Sequence, residues 1–283
     1  MKKILKTPEP PQALTRFVTR HPVGTPLHKW NSARHAKKAI QCQLYRDQRG
    51  LCAYCEIDMT FTPPHLSSEA PVGDIHIEHF HPESDTSQDW AFMWTNMLAV
   101  CMGGAQTNLS DENKCRIATG ATKTDNYHCD VPKADNVLDG IILNPLEIKT
   151  TKSLFSIAER PILNGNTVVD TAIDLEPIKT VCDTESQDCY QKARETISRL
   201  HLNCDLLGKF RHAAIEKIKT QQHELMKQGH SFEESTELLV TQYFDNTPDS
   251  DGNRPNWPPF FTTIRAYLGS FVEDRLAEIE YEG

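Results

Sequence analysis

The sequence has 283 residues, of which 38% are hydrophobic, and a formal net charge of −9. No apolar run is long enough to span a bilayer and the start lacks the apolar core of a signal peptide, so we expect a cytoplasmic protein with no membrane contact. In that compartment nine cysteines indicate metal ligands and free thiols rather than disulfides. A protein that grips a phosphate backbone by itself usually carries a basic face, but this chain is acidic overall and has no lysine-rich block, so either a small local patch or a partner would supply any grip on nucleic acid.

The N-terminal residues predict two helices of different length. Prolines up to Pro26 allow only a short helix over residues 12–19. Residues 30–47 predict a longer helix, because apolar side chains recur every four positions: Ala36, Ile40 and Leu44.

A cysteine pair follows this helix directly, as Cys52-Ala-Tyr-Cys55. Two cysteines at this spacing suit a zinc knuckle, a tight turn that aims both thiolates at one ion. A redox pair and two idle thiols are the alternatives, but no strand–helix pattern of the thioredoxin type surrounds the pair.

Residues 75–80 predict a strand that ends near Pro82 and carries Glu78 and His79. Neighbouring strand residues point to opposite faces, so at a strand end the carboxylate can hold a cation while the imidazole approaches a substrate. His76 and His81 are close enough to join such a site, although solvated side chains are the more ordinary interpretation. A loop histidine, His65, is more readily a solvated side chain than a ligand.

Asn96 and Asp130 are the other polar candidates. Asn96 stands inside the apolar run 90–100, where a buried amide needs hydrogen-bond partners. Asp130 follows Cys129 and is either a metal ligand or the N-cap of a helix.

The remaining residues predict loops, a hairpin and a mostly helical C-terminal third. The pattern predicts loops over 58–74 and 102–128, a strand over 138–145, a hairpin turn at Asn164-Gly165, a helix from a Thr184–Gln187 capping box to Leu200, a helix over 205–228, a capping box at Ser231 and Glu234, and a last helix through 261–271.

These motifs together resemble the HNH, or ββα-metal, nucleases. The shared elements are Cys52-x-x-Cys55, Glu78-His79, Asn96, Cys101 and Cys129-Asp130-x-x-Lys133. Cys-Ala-Tyr-Cys-Glu, Ile-Glu-His-Phe-x-Pro, Trp-x-Asn and a later Asn-Pro-Leu are similar to the PtuB nucleases of the Septu anti-phage systems, which also occur beside some retrons. The likeness is strong over about residues 36–145 and weak elsewhere. It departs from the family in the 27 residues that separate Cys101 from Cys129, and in Asp130, where many members have Asn or His.

The resemblance implies an HNH endonuclease that hydrolyses phosphodiester bonds, most readily in DNA, as effector of an anti-phage system. Cys52, Cys55, Cys101 and Cys129 would bind a structural zinc, with Cys115 competing with Cys129 for the fourth position. His79 would be the general base, Asn96 would hold the His79 loop, and Glu78 and Asp130 would bind Mg²⁺ or Mn²⁺. The implied partners are a PtuA-like ATPase of the ABC/SMC type, the nucleic acid substrate, and a retron reverse transcriptase with its RNA–DNA product. An RNase that cuts tRNA and an inactive zinc-stapled adaptor are the alternatives. Because Glu78 and His79 are both present, the sequence favours an active enzyme over the inactive adaptor.

The expected fold class is α+β, with a zinc-stapled ββα-metal core. The predicted division is an N-terminal arm and helix (1–45), the nuclease core (46–145), a strand and hairpin connector (146–185) and a helical C-terminal region that docks the partner (186–283).

Overall fold

The computed structural model describes residues 1–59, 75–103 and 125–283. Most of the two predicted loops, over 58–74 and 102–128, lies outside these residues, as do His65 and Cys115. No helix in the described part of the chain is long and apolar enough to cross a membrane.

The described residues form a mixed structure of helices and antiparallel strands, which confirms the α+β class. The helices are α1 (Gln12–Arg20), α2 (Arg34–Asp47), α3 (Asp130–Lys133), α4 (Lys179–Glu185), α5 (Cys189–Arg199), α6 (Asp205–Lys227), α7 (Phe232–Tyr243), α8 (Phe261–Leu268) and α9 (Ser270–Glu278). The strands are β1 (His76–His79), β2 (Met97–Val100), β3 (Phe155–Asn164) and β4 (Thr167–Pro177).

Strands β1 and β2 pair antiparallel, with His76 opposite Val100 and His79 opposite Met97. All four residues of β2 are buried, so this strand lies inside the core rather than at its surface. Helix α2 packs on both strands through the predicted face of Ala36, Ile40 and Leu44. Helix α2 therefore packs against and supports the short β1–β2 pair.

The hairpin β3–β4 is separate from that pair, and α6 packs across it. It turns at Asn164-Gly165 as predicted, and the positive φ of 61° at Gly165 is the conformation that a glycine adopts without strain. Gly208 on α6 faces the Cβ of Ala172 on β4 so closely that an added methyl group would clash at 2.6 Å. This close approach joins the hairpin to the long helix.

Two apolar clusters fill the interior of the described residues. The larger one joins α1, α2, β1, β2, the cysteine turn, β3 and the α4–α6 segment. The smaller one joins α7, α8 and α9 around Phe244, Trp257 and Phe261, and it includes Leu51 beside the first cysteine pair. The C-terminal helices thus share core contacts with the residues next to the cysteines.

Three predicted elements are wrong. Residues 138–145 form turns instead of a strand, although Leu138, Ile142 and Leu143 are buried. Thr184 lies inside α4 and donates a hydrogen bond to Val181 O, so it caps no helix. The last helix is two helices, because Gly269 adopts a φ of 60° between α8 and α9.

Other elements match the expected ones closely. The capping box of α7 is confirmed, with the Ser231 hydroxyl accepting from Glu234 N and the Glu234 carboxylate accepting from Ser231 N. Helix α6 runs as predicted and ends before Gly229. The helix predicted from Trp30 begins instead with a 3-10 turn at Trp30–Ser32, and α2 proper starts at Arg34.

Candidate metal centre and adjoining cleft

Four buried cysteines, Cys52, Cys55, Cys101 and Cys129, bring their sulfur atoms within 4.8 Å of one another. The Sγ–Sγ distances are 3.7 Å for Cys52–Cys129, 3.6 Å for Cys55–Cys101 and 3.8 Å for Cys101–Cys129. A tetrahedron of thiolates around zinc, with bonds of about 2.3 Å, has edges of about 3.8 Å. The sulfur positions therefore fit one tetrahedral metal ion, and Cys129 occupies the fourth corner.

Local backbone geometry places each of these thiols. The first pair lies in a tight turn closed by hydrogen bonds from Cys52 N to Ile57 O and from Glu56 N to Cys52 O. Cys101 follows the last residue of β2 directly. Cys129 precedes α3 in a positive-φ conformation of 59°, and its N–H donates to Leu200 O. The centre thus joins β2, α3 and the end of α5.

His128 is a neighbour of this centre that the sequence analysis did not identify. Its ring is 2% exposed, its Nε2 lies 3.6 Å from Cys101 Sγ, and its Nδ1 donates to Asn126 O. The only signal for it in the sequence was its position before Cys129.

A cleft of about 180 Å³ opens beside the metal centre. It is lined by His76, Glu78, His79, Glu83, Asp130 and Lys133, with Trp30 at its edge. The structure therefore brings together Glu78, His79 and Asp130, which are far apart in the sequence. Lys133, Glu83 and Trp30 also line it, and no pattern in the sequence pointed to the last two.

Two contacts fix α3 against β1. The Nδ1 atom of His76 lies 2.5 Å from Asp130 Oδ2, and Lys133 Nζ lies 2.7 Å from Glu78 Oε1. His76 and Glu78 are two residues apart on one face of a strand, about 6.7 Å along it, while Asp130 and Lys133 are three apart on one helical turn. The two spacings match closely enough for both pairs to form. Since Cys129 adjoins Asp130, the cysteine centre sets this register.

Lys133 is almost fully buried, at 1% exposure, and its ammonium also donates to His79 O at 3.0 Å. It therefore connects the carboxylate of Glu78 and the backbone of His79 to α3. Burial raises the pKa of the Glu78 carboxyl, although the neighbouring Lys133 opposes this shift.

The ring of His79 is held on two sides. Its Nε2 donates to Ala91 O at 3.1 Å, and the ring packs edge-to-face with Trp30 at a centroid distance of 4.7 Å. With Nε2 protonated, Nδ1 carries the free lone pair, and it lies 3.4 Å from Glu83 Oε2. Burial lowers the pKa of His79 to about 4, so the imidazole is neutral at pH 7.

Asn96 is buried, and its side-chain amide bonds the backbone of His81 and Trp90. Its Oδ1 accepts from His81 N at 2.7 Å, and its Nδ2 donates to His81 O and Trp90 O. Asn96 thus fastens the turn that follows His79, as expected for a buried amide in this position.

His81 lies apart from the cleft lining. Its two ring nitrogens are each 2.9 Å from a carboxylate oxygen, of Asp85 and of Asp139, and its ring stacks on Trp90. The structure therefore gives His81 a fastening role, whereas His76 lies in the cleft.

One atom in the cleft has no partner among the described residues. Asp130 Oδ1 is buried and accepts no hydrogen bond, while Oδ2 contacts His76. An unpartnered buried carboxylate oxygen is unfavourable by about 1–3 kcal/mol. Asp130 is also the first residue of α3 rather than its N-cap, so the capping alternative does not account for its carboxylate.

Comparison with known proteins adds one relative. The chain is 29% identical over 250 residues to a protein of Escherichia coli described as "Retron Ec83 putative HNH endonuclease", covering 81% of this chain and 87% of the relative. The chain is therefore similar to this protein over most of both lengths. The comparison agrees with the predicted enzyme class and supports an HNH nuclease in a retron context.

The other two comparisons add nothing to this. No protein-family model matches the chain. No solved structure matches it either.

Proposed function

We propose that this protein is a metal-dependent HNH endonuclease that hydrolyses phosphodiester bonds of DNA. The observation that carries the proposal is the cleft in which Glu78, His79 and the unpartnered oxygen of Asp130 meet. Similarity to a protein described as an HNH endonuclease of a retron supports the same function. The strand pair β1–β2 followed by α3 would be the ββα-metal core, with α3 reduced to a single helical turn.

Two different metal ions would serve the two sites. The four thiolates leave no open position, so the ion between them would be a structural zinc. The cleft offers carboxylate oxygens from Glu78 and Asp130, which suit Mg²⁺ or Mn²⁺. An ion bound there would stabilise the negative charge that builds on the phosphate and on the leaving oxygen.

The chain's own residues would divide the remaining work. His79 Nδ1 would take the proton from the attacking water, because Ala91 O keeps the ring in the tautomer with a free lone pair on that nitrogen. Lys133 would hold His79 and Glu78 in register through its two contacts, and Asn96 would fix the turn that follows.

The biological setting extends the proposal. As a retron or Septu-type effector, this chain would act in anti-phage defence with a PtuA-like ATPase, and near a reverse transcriptase and its RNA–DNA product. The helical region after residue 185 would be the docking surface for that ATPase. Co-purification of the full chain with a PtuA-like ATPase, with and without substitution of the exposed apolar residues Phe232 and Leu238 of this region, tests this part of the proposal.

The activity is tested with the purified protein on duplex DNA, plasmid and tRNA in Mg²⁺, Mn²⁺ and EDTA. We expect cleavage of DNA with either ion and none with EDTA. Asp130→Ala should weaken Mn²⁺ binding by at least about tenfold, measured by calorimetry. Asp135→Ala is the matched control, because it removes another carboxylate of the cleft, one that has no buried oxygen without a partner. Cleavage of tRNA alone would support the RNase, and no cleavage of any substrate, with zinc retained, would support the adaptor.

A further inference from the structure

The charge of this acidic chain is very unevenly distributed. Residues 1–50 hold 11 of the 30 Lys and Arg but only 2 of the 39 Asp and Glu, a formal charge of +9, so the rest of the chain carries −18. Between Glu9 and Asp47 there are seven Lys and Arg and no carboxylate side chain at all. The net charge of the whole protein therefore conceals a basic N-terminal segment.

Six of these basic side chains are exposed, and the five that lie between Arg16 and Lys38 form a set that we call the basic arm. They are Arg16 and Arg20 on α1, Lys29 before the 3-10 turn, and Arg34 and Lys38 on α2. Each helical pair is four residues apart, which places its two members on one face. Among the described residues, none of the five has a carboxylate partner.

Two other basic residues of the segment form hydrogen bonds inside the fold. Arg49 is buried and bonded to Pro255 O and Asn246, and Lys6 donates to Met97 O. The five residues of the basic arm therefore differ from these structural cations, since their charges face solvent.

The basic arm is attached to the cleft. Trp30, directly after Lys29, lines the cleft and meets the ring of His79. Lys37 also lies over the ring of Trp30, with Nζ 4.3 Å from the ring centroid. Gln41 on α2 donates to Ile75 O at the start of β1. A polymer lying along the arm would thus pass the mouth of the cleft.

The aromatic rings in this segment favour a duplex over splayed single strands. Single-stranded nucleic acids are held by stacking bases on free aromatic faces. Here Phe17 packs on Phe92, and Trp30 is covered by Lys37 and His79. The hydroxyl of Tyr45 is bonded to Asn256. Without available platforms, exposed cations remain, and these fit the phosphates of a duplex backbone.

We infer that the basic arm is the surface that grips the phosphate backbone of double-stranded DNA and feeds it to the cleft. This inference rests on the proposed function for the identity of the polymer. The −18 charge of the remaining chain repels DNA elsewhere, so attraction to the arm also orients the protein.

Binding is measured first, without added Mg²⁺ or Mn²⁺ so that no cleavage occurs, by fluorescence anisotropy of a labelled duplex across a salt titration. The test variant is Lys29→Gln, Arg34→Gln and Lys38→Gln together. Since each phosphate contact contributes about 0.9 to the slope of log K against log salt, we expect that slope to fall by roughly 2–3 and affinity to fall at least about tenfold.

The matched control removes the same charge from exposed lysines of the C-terminal half: Lys217→Gln, Lys219→Gln and Lys227→Gln. This variant should bind like the wild type. Equal weakening by both variants would reduce the effect to net charge and overturn the inference, as would a wild-type protein that does not bind duplex DNA. Tighter binding of single-stranded RNA through the same three residues would overturn the commitment to duplex DNA.

A small phosphodiester, bis(p-nitrophenyl) phosphate, separates this inference from the proposed function. The arm variant should hydrolyse it at the wild-type rate with Mn²⁺ while losing cleavage of duplex DNA. If the wild type binds DNA through the arm but hydrolyses neither substrate, the proposed function fails and the inference stands. If both proteins cut DNA equally, the inference fails and the function stands.

Discussion

At the scale of single residues, the substitution of Cys52 is the sharpest test of the metal centre. Cys52→Ser removes one of the four thiolates and leaves three that no longer enclose the ion. We expect zinc content to fall from about one per chain and the protein to lose about 4 kcal/mol or more of stability, seen as a melting temperature lower by roughly 8 °C or more.

Cys42 provides the control, because it is half-buried on α2 and lies outside the four-cysteine group. Cys42→Ser should keep its zinc, measured by elemental analysis. A purified wild-type protein without zinc, together with a Cys52→Ser protein that melts like it, would refute a structural zinc.

His81 supplies a pH-dependent contribution to stability. Burial lowers the pKa of His81, but hydrogen bonds to Asp85 and Asp139 raise it more, so the folded-state pKa lies above the ordinary value of 6.5. The contribution is therefore complete below about pH 6.5 and is lost as the pH rises through the folded-state pKa. Both carboxylates are more than a third exposed, so it amounts to about 1 kcal/mol or less.

The melting temperatures of wild type and His81→Asn check this prediction at about pH 5.5 and about pH 8.5. The variant should melt lower at the acidic pH, and the difference should narrow at the basic pH. A difference that is the same at both pH values would mean that packing on Trp90, not the charge, holds His81 in place.

At the scale of elements, Gly103 controls how the segment after β2 meets α3. It has a φ of 56°, and an added Cβ would lie 2.4 Å from both His128 O and the Cγ2 atom of Val131. Gly103→Ala should therefore push the His128–Cys129 segment away and reduce zinc retention as well as stability. Gly252→Ala has the same backbone strain, at φ 80°, but no atom within 4 Å.

Comparing the two variants separates the destabilisation caused by backbone strain from that caused by the steric clash of the added Cβ. Gly252→Ala should lose about 1–2 kcal/mol, from the backbone conformation alone. Gly103→Ala should lose more, by denaturant unfolding, and should release zinc to a chelator faster. Equal losses in the two proteins would show that the segment around Gly103 moves aside freely.

The same scale shows which elements the sequence could predict. Helix α2 and the α7 capping box were readable because periodicity and caps are local signals. The false strand over 138–145 arose because Ile142 and Leu143 are buried without a ladder, and apolar residues report burial rather than its form. Gly269 interrupts the last helix by a backbone conformation that apolar spacing does not reveal.

The candidate site was only partly predictable, for a similar reason. The first cysteine pair and the Glu78-His79 pair follow known spacings and could be listed in advance, whereas the sequence left the fourth zinc position open between Cys115 and Cys129. The contact of Lys133 with Glu78 joins residues 55 positions apart, and Glu83 reaches His79 only through the turn at Pro82. Such partners depend on how the chain folds back, which no local pattern specifies.

At the scale of the whole molecule, the C-terminal region is tied to the cysteine turn. The buried Glu56 carboxylate accepts from Thr262 N at 2.7 Å and from the Thr262 hydroxyl at 2.6 Å, and Cys129 N donates to Leu200 O. We therefore expect a chain truncated after residue 185 to lose zinc and to aggregate, instead of keeping an intact metal centre as a separate docking region would allow.

Zinc content and circular dichroism of the truncated chain check this expectation. Thr262→Val, in the full chain, offers a milder version that removes one hydroxyl from Glu56 and should lower stability by about 1–3 kcal/mol. A truncated chain that stays soluble with full zinc occupancy would instead support an independent C-terminal docking region.

The most direct test of the central claim is a cleavage time course of His79→Ala across a Mn²⁺ titration. Removing a general base lowers the rate by about 10²–10⁴-fold, and since Glu78 and Asp130 remain, added Mn²⁺ should not restore it. Glu78→Ala should also lose cleavage but regain part of it in excess Mn²⁺. His223→Ala, an exposed histidine on α6, should cut like wild type. A folded His79→Ala protein that cuts DNA at nearly the wild-type rate would contradict catalysis in this cleft.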